Sequence, residues 1–400
     1  MSKKYSASAL AAVGVACAVL AAALTICAVI ISAGGIDGYR ASLKYAAISS
    51  IIEDSYIGDY EREDTDNAAY SAMIDALDDR WSYYMSAEEY DDYRQYSSNT
   101  YKGIGVSVRR DDASGGIAVT AVNAGSPAEA AGITAGDVIM AVDGRPASEL
   151  EISEVKAIIG EAVGETVELD IRSESGVERT VYVDCGVLYS DPVSYEMLDG
   201  NIGYIKIDNF QAGSGENSVK AIDSLVEAGT SGLIFDLRGN PGGLVTELLE
   251  LLDALLPDGD MFVSVSRSGQ EKVYVSDAEH VELPMCVLVD AASYSAAEFM
   301  AAAMQEYGAA VIVGQQTTGK GRSQVTYELR DGSAVHISHS VYMTPGRIDL
   351  SVSGGVMPDI VSELDEQSAA YAHAGALKHD DDDQLSAALS ALGEMMGKAA

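Results

Sequence analysis

The sequence predicts an α/β core, a mixed sheet with flanking helices, that carries an inserted β-rich domain and follows an N-terminal transmembrane helix. Three observations predict it. Residues 7–31 are apolar and uncharged over a length that spans a bilayer. Gly232-Leu-Ile-Phe-Asp-Leu237 and Met285-Cys-Val-Leu-Val289 are short continuous apolar runs, the pattern of strands buried on both faces. Each leads through a turn into residues with helical spacing. From residue 101 to 183 the texture is different, with short alternating runs punctuated by glycine turns.

Composition sets the outer limits. Four hundred residues, 48% hydrophobic and 22% charged, suffice for a sizeable core and two or three domains. A net charge of −37 repels phosphate, which argues against nucleic acid as a partner and disfavours binding to anionic lipid through a basic surface. Four cysteines are too few for a disulfide framework; Cys17 and Cys27 fall in the apolar segment, and Cys185 and Cys286 are expected as buried thiols. The apolar segment is longer than a signal-peptide core, which favours an uncleaved anchor. Lys3 and Lys4 before it place the N-terminus inside, although Arg40 and Lys44 beyond it weaken that asymmetry.

Helical spacing predicts helices over 39–56 and 66–77. Asp78-Asp-Arg-Trp-Ser-Tyr-Tyr-Met-Ser86 follows, and Ser86 with Glu89 has the spacing of a capping box. The tyrosines here read as packing against the body of the protein rather than as the lining of a peptide groove. In the β-rich stretch, Gly103-Ile-Gly-Val106 opens a unit with a strand at 117–122 and a short helix from Pro127 to a stop at Gly132. An Asp143-Gly144 hairpin turn, a helix at 152–159 and strands at 166–172 and 180–183 complete it. Beyond it come a strand at 201–208, a helix at 216–228 and the apolar strand ending at Leu237. That strand runs into Arg238-Gly-Asn-Pro-Gly-Gly243 and a helix at 244–256. The glycine-rich loop lacks the Lys-Ser/Thr ending of a nucleotide loop. Asp236 and Arg238 are expected to brace it.

The chemistry concentrates in Asp290-Ala-Ala-Ser-Tyr-Ser-Ala-Ala-Glu298 and, 25 positions after Ser295, in Thr318-Gly-Lys-Gly321. Ser295 sits where a buried strand becomes a helix. Unpaired N–H groups at that helix start favour negative charge, which suits an oxyanion formed when the serine attacks a carbonyl. No histidine is near in sequence, and Lys320 is the candidate base. It can serve only as the neutral amine, a state that desolvation favours.

Ser293-Tyr-Ser295-Ala-Ala-Glu, Gly319-Lys320-Gly321 and Gln324 together resemble the catalytic segment of the carboxyl-terminal processing peptidases, the tail-specific serine proteases. The resemblance implies a Ser295–Lys320 dyad, with Gln324 helping to hold the lysine. It also implies an oxyanion hole from the N–H of Gly242 or Gly243, paired with that of Ala296. Two positions depart from the family pattern: Tyr294 stands where a small residue is usual, and Thr318 where an aromatic is usual. The unit opened by Gly103 resembles a PDZ domain of the processing-protease type, implying that Lys102, Gly103, Ile104 and Gly105 hold the terminal carboxylate of a peptide added as an extra strand.

The resulting expectation is a cytoplasmic tip and transmembrane anchor (1–36), a helical region packing on the protease (37–97), the PDZ domain (98–186), the Ser-Lys protease core (187–370) and an acidic, alanine-rich, solvated tail (371–400). The activity expected is that of an extracytoplasmic serine endopeptidase, held in the cell membrane by one span, cutting protein or peptide substrates recognised by their C-termini. No cofactor and no metal site are expected, and a homo-oligomer is left open. Two other readings compete. One is an inactive membrane-tethered PDZ binding module, against which intact Ser295, Lys320 and Gln324 speak. The other is a Ser-His-Asp hydrolase using His336 or His339 with Asp290 or Asp349, against which strand parity speaks by placing His339 in packing.

Overall fold

The computed structural model describes residues 7–399. The chain forms two compact units, 1–70 and 71–400. In the first, Ala7–Ser32 is one helix, and its stretch Ala11–Ser32 has mean hydropathy 2.7 with no residue buried. It is long and apolar enough to cross a membrane. Gly34 and Gly35, both at positive φ, separate it from the helix Ile36–Ser55. Lys3 and Lys4, on which the expected orientation depends, lie outside the described residues.

The second unit is built on a six-stranded sheet in the order 193–198, 202–207, 232–236, 285–289, 310–314 and 360–361. The first pair is antiparallel and all others are parallel. Side chains alternate between faces along a strand, and here both faces are covered. Leu233 and Phe235 with Val287 and Val289 point into a core closed by the helices Ser214–Glu227, Val245–Leu255 and Ala296–Glu306. Ile234, Cys286, Leu288 and Val313 point the other way, against Leu385, Ala388 and Leu392 of the helix Asp383–Ala399. Burial on both faces is why these strands read as continuous apolar runs.

That last helix corrects the expectation of a solvated tail. Leu385 and Leu392 are fully buried, each worth about 1.5–3 kcal/mol against exposure. Asp382, within the acidic run, is buried in an ion pair with Arg238.

A second, five-stranded sheet is organised by the long strand Ala334–Met343, which pairs with Arg322–Glu328, Gly259–Ser266 and Tyr83–Met85. Between the two regions the chain makes a separate sheet, 106–110, 117–122, 138–142, 166–172 and 178–184, packed over the helix Ile152–Glu161 with its own core of Ile117, Ile139, Leu169 and Val155. Thr100–Gly103 pairs with Gly186–Tyr189 where the chain enters and leaves it. The capping box at Ser86 and Glu89 forms as predicted, and Cys185 and Cys286 are buried free thiols.

Candidate active site

Three loops at the carboxyl ends of neighbouring parallel strands build the site, the usual crevice of an α/β sheet. The first leaves the strand Gly232–Asp236. Asp236, fully buried, accepts from the Arg238 backbone N–H at 3.0 Å and from its Nε at 2.9 Å; Arg238 Nη1 reaches Asp382 Oδ1 at 3.0 Å. The Arg238 charge is what holds the Asp236 carboxyl below its ordinary range against the opposing effect of burial. The loop is then clamped to its neighbours: Asn240 Nδ2 donates to the Ile207 carbonyl at 2.7 Å, and the Phe210 N–H donates to the Gly242 carbonyl at 2.8 Å.

Gly242 and Gly243 differ in a way the sequence does not reveal. The Gly242 N–H is occupied, donating to Asn240 Oδ1 at 2.8 Å. A Cβ on Gly242 (φ 83°) would stand 2.7 Å from Ser295 Cβ, so glycine permits the loop to touch the serine turn. The Gly243 N–H has no described acceptor, and Gly243 lines the cavity beside Ser295.

The second loop leaves the strand Met285–Val289. Ser293 Oγ donates to the Leu237 carbonyl at 2.7 Å, and the Tyr294 N–H to the Asn240 carbonyl at 3.1 Å, stitching it to the first loop. Ser295 follows at φ 59°, ψ −123°, immediately before the helix Ala296–Glu306. Such a conformation in a non-glycine residue costs about 1–3 kcal/mol and persists where its surroundings enforce it, as at a strand-to-helix nucleophile turn.

The third loop carries Lys320. Its glycines are demanded by close approach: a Cβ on Gly321 would lie 2.4 Å from Asp349 Oδ1, and one on Gly319 (φ 85°) 3.0 Å from the Gly355 nitrogen. Thr318, in place of the expected aromatic, donates its hydroxyl to the Ala291 carbonyl at 2.8 Å and so ties this loop to the serine loop.

Glu298, which sequence reasoning passed over, fastens the whole. It is completely buried one turn into the helix after Ser295. Its Oε2 accepts the N–H of Ser295 at 3.0 Å and that of Lys320 at 2.8 Å; its Oε1 accepts the Gly319 N–H and the Thr317 hydroxyl, both at 2.5 Å. A signal for it existed, because Ser295 and Glu298 have the spacing of a capping box.

Ser295, Lys320, Gln324 and Gly243 line one cavity of about 400 Å³. The Lys320 ammonium lies 4.4 Å from the centre of the Trp81 ring and 5.7 Å from that of Tyr294. Burial pushes its pKa down to about 8; Glu298 opposes, Arg80 adds to the fall and Asp79 opposes. Gln324 lines the same cavity as Lys320; its amide donates to the Arg322 carbonyl at 3.1 Å and to Ser338 Oγ at 3.2 Å, bracing the cavity wall. Of the tyrosines that follow Asp78, Tyr84 is buried in packing as expected, whereas Tyr83 lines this cavity, together with Tyr93, Tyr96, Tyr294 and Tyr342. His336 is in the cavity, with Thr326 Oγ1 at 2.8 Å from its Nδ1; burial first, then the Lys320 charge, push its pKa down to about 4. His339 is exposed rather than packed. Asp290 is held by His373, and it accepts the Gly239 N–H at 3.1 Å. Among the described residues, no group of His, Cys, Asp and Glu has the arrangement of a metal site.

The predicted carboxylate loop borders a second, apolar cavity of about 320 Å³ lined by Ile104, Val108, Ile139 and Val155 among others. Gly105 is at φ 87°, and a Cβ there would lie 2.3 Å from Ser126 Cβ. The N–H groups of Ile104 and Gly105 have no described acceptor. Lys102 Nζ is engaged elsewhere, 2.9 Å from Asp91. No residue of this domain lines the Ser295 cavity among the described residues.

Comparison with known proteins accords with this geometry. Residues 201–362 match peptidase family S41, and residues 118–173 match a PDZ domain. The chain is 33% identical over 310 residues to the carboxy-terminal processing protease CtpA of Bacillus subtilis, covering 76% of this chain and 66% of that protein. It is 32% identical over 337 residues to a carboxyl-terminal-processing protease of Picosynechococcus, covering 82% and 80%. A putative S41 protease from Bacteroides fragilis shares the fold, with a TM-score of 0.53 at 18% identity over 82% of this chain and 90% of that one. The strand–turn–helix serine on a mixed sheet is that of a serine-type peptidase, and the chain belongs to the carboxyl-terminal processing protease family.

Proposed function

We propose that the chain is a membrane-anchored serine endopeptidase whose catalytic part lies outside the cytoplasm and whose substrates are proteins engaged through their C-terminal ends. The observation that carries the chemistry is the shared cavity of Ser295 and Lys320, in which burial pushes the lysine down to about 8. Neutral Lys320 takes the proton of Ser295 Oγ as that oxygen attacks the peptide carbonyl. The tetrahedral oxyanion is held by the N–H groups of Gly243 and Ala296. Gly242 is the less suitable donor because its N–H already serves Asn240. The Lys320 ammonium gives its proton to the leaving amine, and water then releases the acyl group from Ser295 by the same route in reverse. Gln324 supports the wall through Ser338.

Recruitment falls to the PDZ domain. The N–H groups of Ile104 and Gly105, without an acceptor among the described residues and beside an apolar cavity, suit a terminal carboxylate followed inward by an apolar side chain. Lys102, paired with Asp91, acts through that pair rather than on the carboxylate. The helix Ala7–Ser32 supports the anchor. Incubating the full chain, solubilised in detergent, with an unstructured protein tests the reading. Ser295→Ala and Lys320→Ala should each abolish cleavage with an unchanged fold, whereas His339→Ala should cleave nearly normally. A dead His339 variant beside an active Lys320 variant would overturn the dyad.

A further inference from the structure

The turn before the strand Tyr83–Met85 reaches into the Ser295 cavity, and its position is fixed. Asp79 Oδ1 accepts the Trp81 N–H at 3.2 Å and Asp79 Oδ2 the Ser82 hydroxyl at 2.6 Å. Ser82 Oγ in turn accepts the Ser338 N–H at 2.9 Å, and Tyr83 pairs with His336 across the sheet. These bonds fix the backbone of the turn, which sets the Trp81 ring in the cavity wall with its centre 5.7 Å from that of the Tyr294 ring. Two cations share it. Lys320 Nζ is 4.4 Å from its centre and the Arg80 guanidinium carbon 4.2 Å. Whichever faces they occupy, the two charges are no more than ~9 Å apart, within about one Debye length at 0.1 M salt. Arg80 makes no ion pair among the described residues.

We propose that Trp81 and Arg80 are positioning residues for Lys320: the indole holds the amine beside Ser295, and the guanidinium on the same ring biases that amine toward its neutral form. The inference rests on the reading of Lys320 as the base. A ring face attracts a cation and alone would favour the ammonium, a state that cannot take a proton. A second cation on the ring opposes that without moving the side chain. The other groups that bear on the amine are Asp79 from the same turn, Glu298 from the helix Ala296–Glu306 and His336 from the strand Ala334–Met343. The carboxylates favour the ammonium, and His336 is neutral above about pH 4. Arg80 is thus the cation that offsets them. Arg322, two residues beyond Lys320, acts on Asp79, and the other ionisable groups lining the cavity are tyrosine phenols, of which Tyr83 and Tyr294 are pushed up by burial.

The test is the pH profile of kcat/KM for the full chain in detergent, with an unstructured protein substrate. Arg80→Gln should move the alkaline rise up by roughly half to one pH unit at low salt, so that activity at pH 7 falls about three- to tenfold and returns at high pH. The displacement should shrink in 1 M salt, and Arg80→Lys should restore the wild-type rise. Trp81→Leu should lose kcat on the order of a hundredfold with KM little changed, and Trp81→Phe should recover most of it. An Arg80→Gln profile superimposed on wild type would overturn the inference, as would equal activity in the Leu and Phe variants. A wild-type profile lacking the alkaline rise, or an active Lys320→Ala variant, would instead remove the lysine base itself.

Discussion

Glu298 and Lys320 are joined through the backbone: one carboxylate oxygen of Glu298 accepts the Lys320 N–H at 2.8 Å while also accepting the Ser295 N–H at 3.0 Å. The two proposed catalytic residues, far apart in sequence, are registered by a single buried oxygen. The other oxygen holds Gly319 and Thr317.

Glu298→Gln replaces one of these two acceptor oxygens by an NH₂ that cannot accept. We expect kcat to fall on the order of a hundredfold with KM little affected, because the amine and hydroxyl lose register. Glu298→Ala leaves buried N–H groups unpaired and should lower stability by about 3–5 kcal/mol. Steady-state kinetics and thermal unfolding separate the two effects. Wild-type kcat in Glu298→Gln would show that the bridge is not needed for alignment.

Lys320 is held at a cost to stability. Its pKa is depressed to about 8 from 10.5, so between those values the unfolded chain carries the proton and the folded chain does not. Stability therefore rises with pH through that window, and the penalty is full below about pH 8. Lys320→Met should raise the melting temperature at pH 7 while abolishing activity, and the advantage should vanish above about pH 10.5. A variant less stable than wild type at pH 7 would contradict the burial penalty.

The carboxyl-terminal segment should matter to the active loop through Arg238. Removing Asp382 by Asp382→Ala leaves a buried guanidinium with half its ionic partners, and breaking such a pair costs about 3–5 kcal/mol. Leu392→Ala should cost about 2–5 kcal/mol by leaving a cavity under the sheet. Denaturant titration of each variant measures this, and losses below 0.5 kcal/mol would restore the picture of a solvated tail.

What the sequence shows of this protein follows the range of each interaction. The strand–turn–helix around Ser295 is legible because its determinants are contiguous, an apolar run and then helical spacing. The roles of the carboxyl-terminal residues are not. Leu385, Ala388 and Leu392 do recur at helical spacing, but the aspartates before them look solvated until Arg238, distant in sequence, is brought to Asp382. Tyr83, Tyr93 and Tyr96 are amphipathic in pattern, and a pattern cannot distinguish a packed face from one that lines a cavity. Gly242 and Gly243 are adjacent and chemically identical; only the Asn240 side chain tells their N–H groups apart.

At the cavity proposed to take the peptide, Gly105→Ala should weaken binding of an apolar free-acid peptide at least tenfold, since the new Cβ meets Ser126 and strains a positive-φ position. Amidating the peptide should weaken it comparably by removing the charge. Fluorescence anisotropy with a labelled peptide measures both. Equal affinity for acid and amide would remove the carboxylate from the account.

The most direct test of a lysine-activated serine is the rate at which Ser295 is labelled by a fluorophosphonate as a function of pH, since labelling reports the nucleophile without substrate recruitment. With Lys320 as the base, the rate should show a single rise with apparent pKa about 8, absent in Lys320→Ala and preserved in His336→Ala. A rate already flat from pH 6 upward, as a base titrating near 4 like His336 would give, would contradict it.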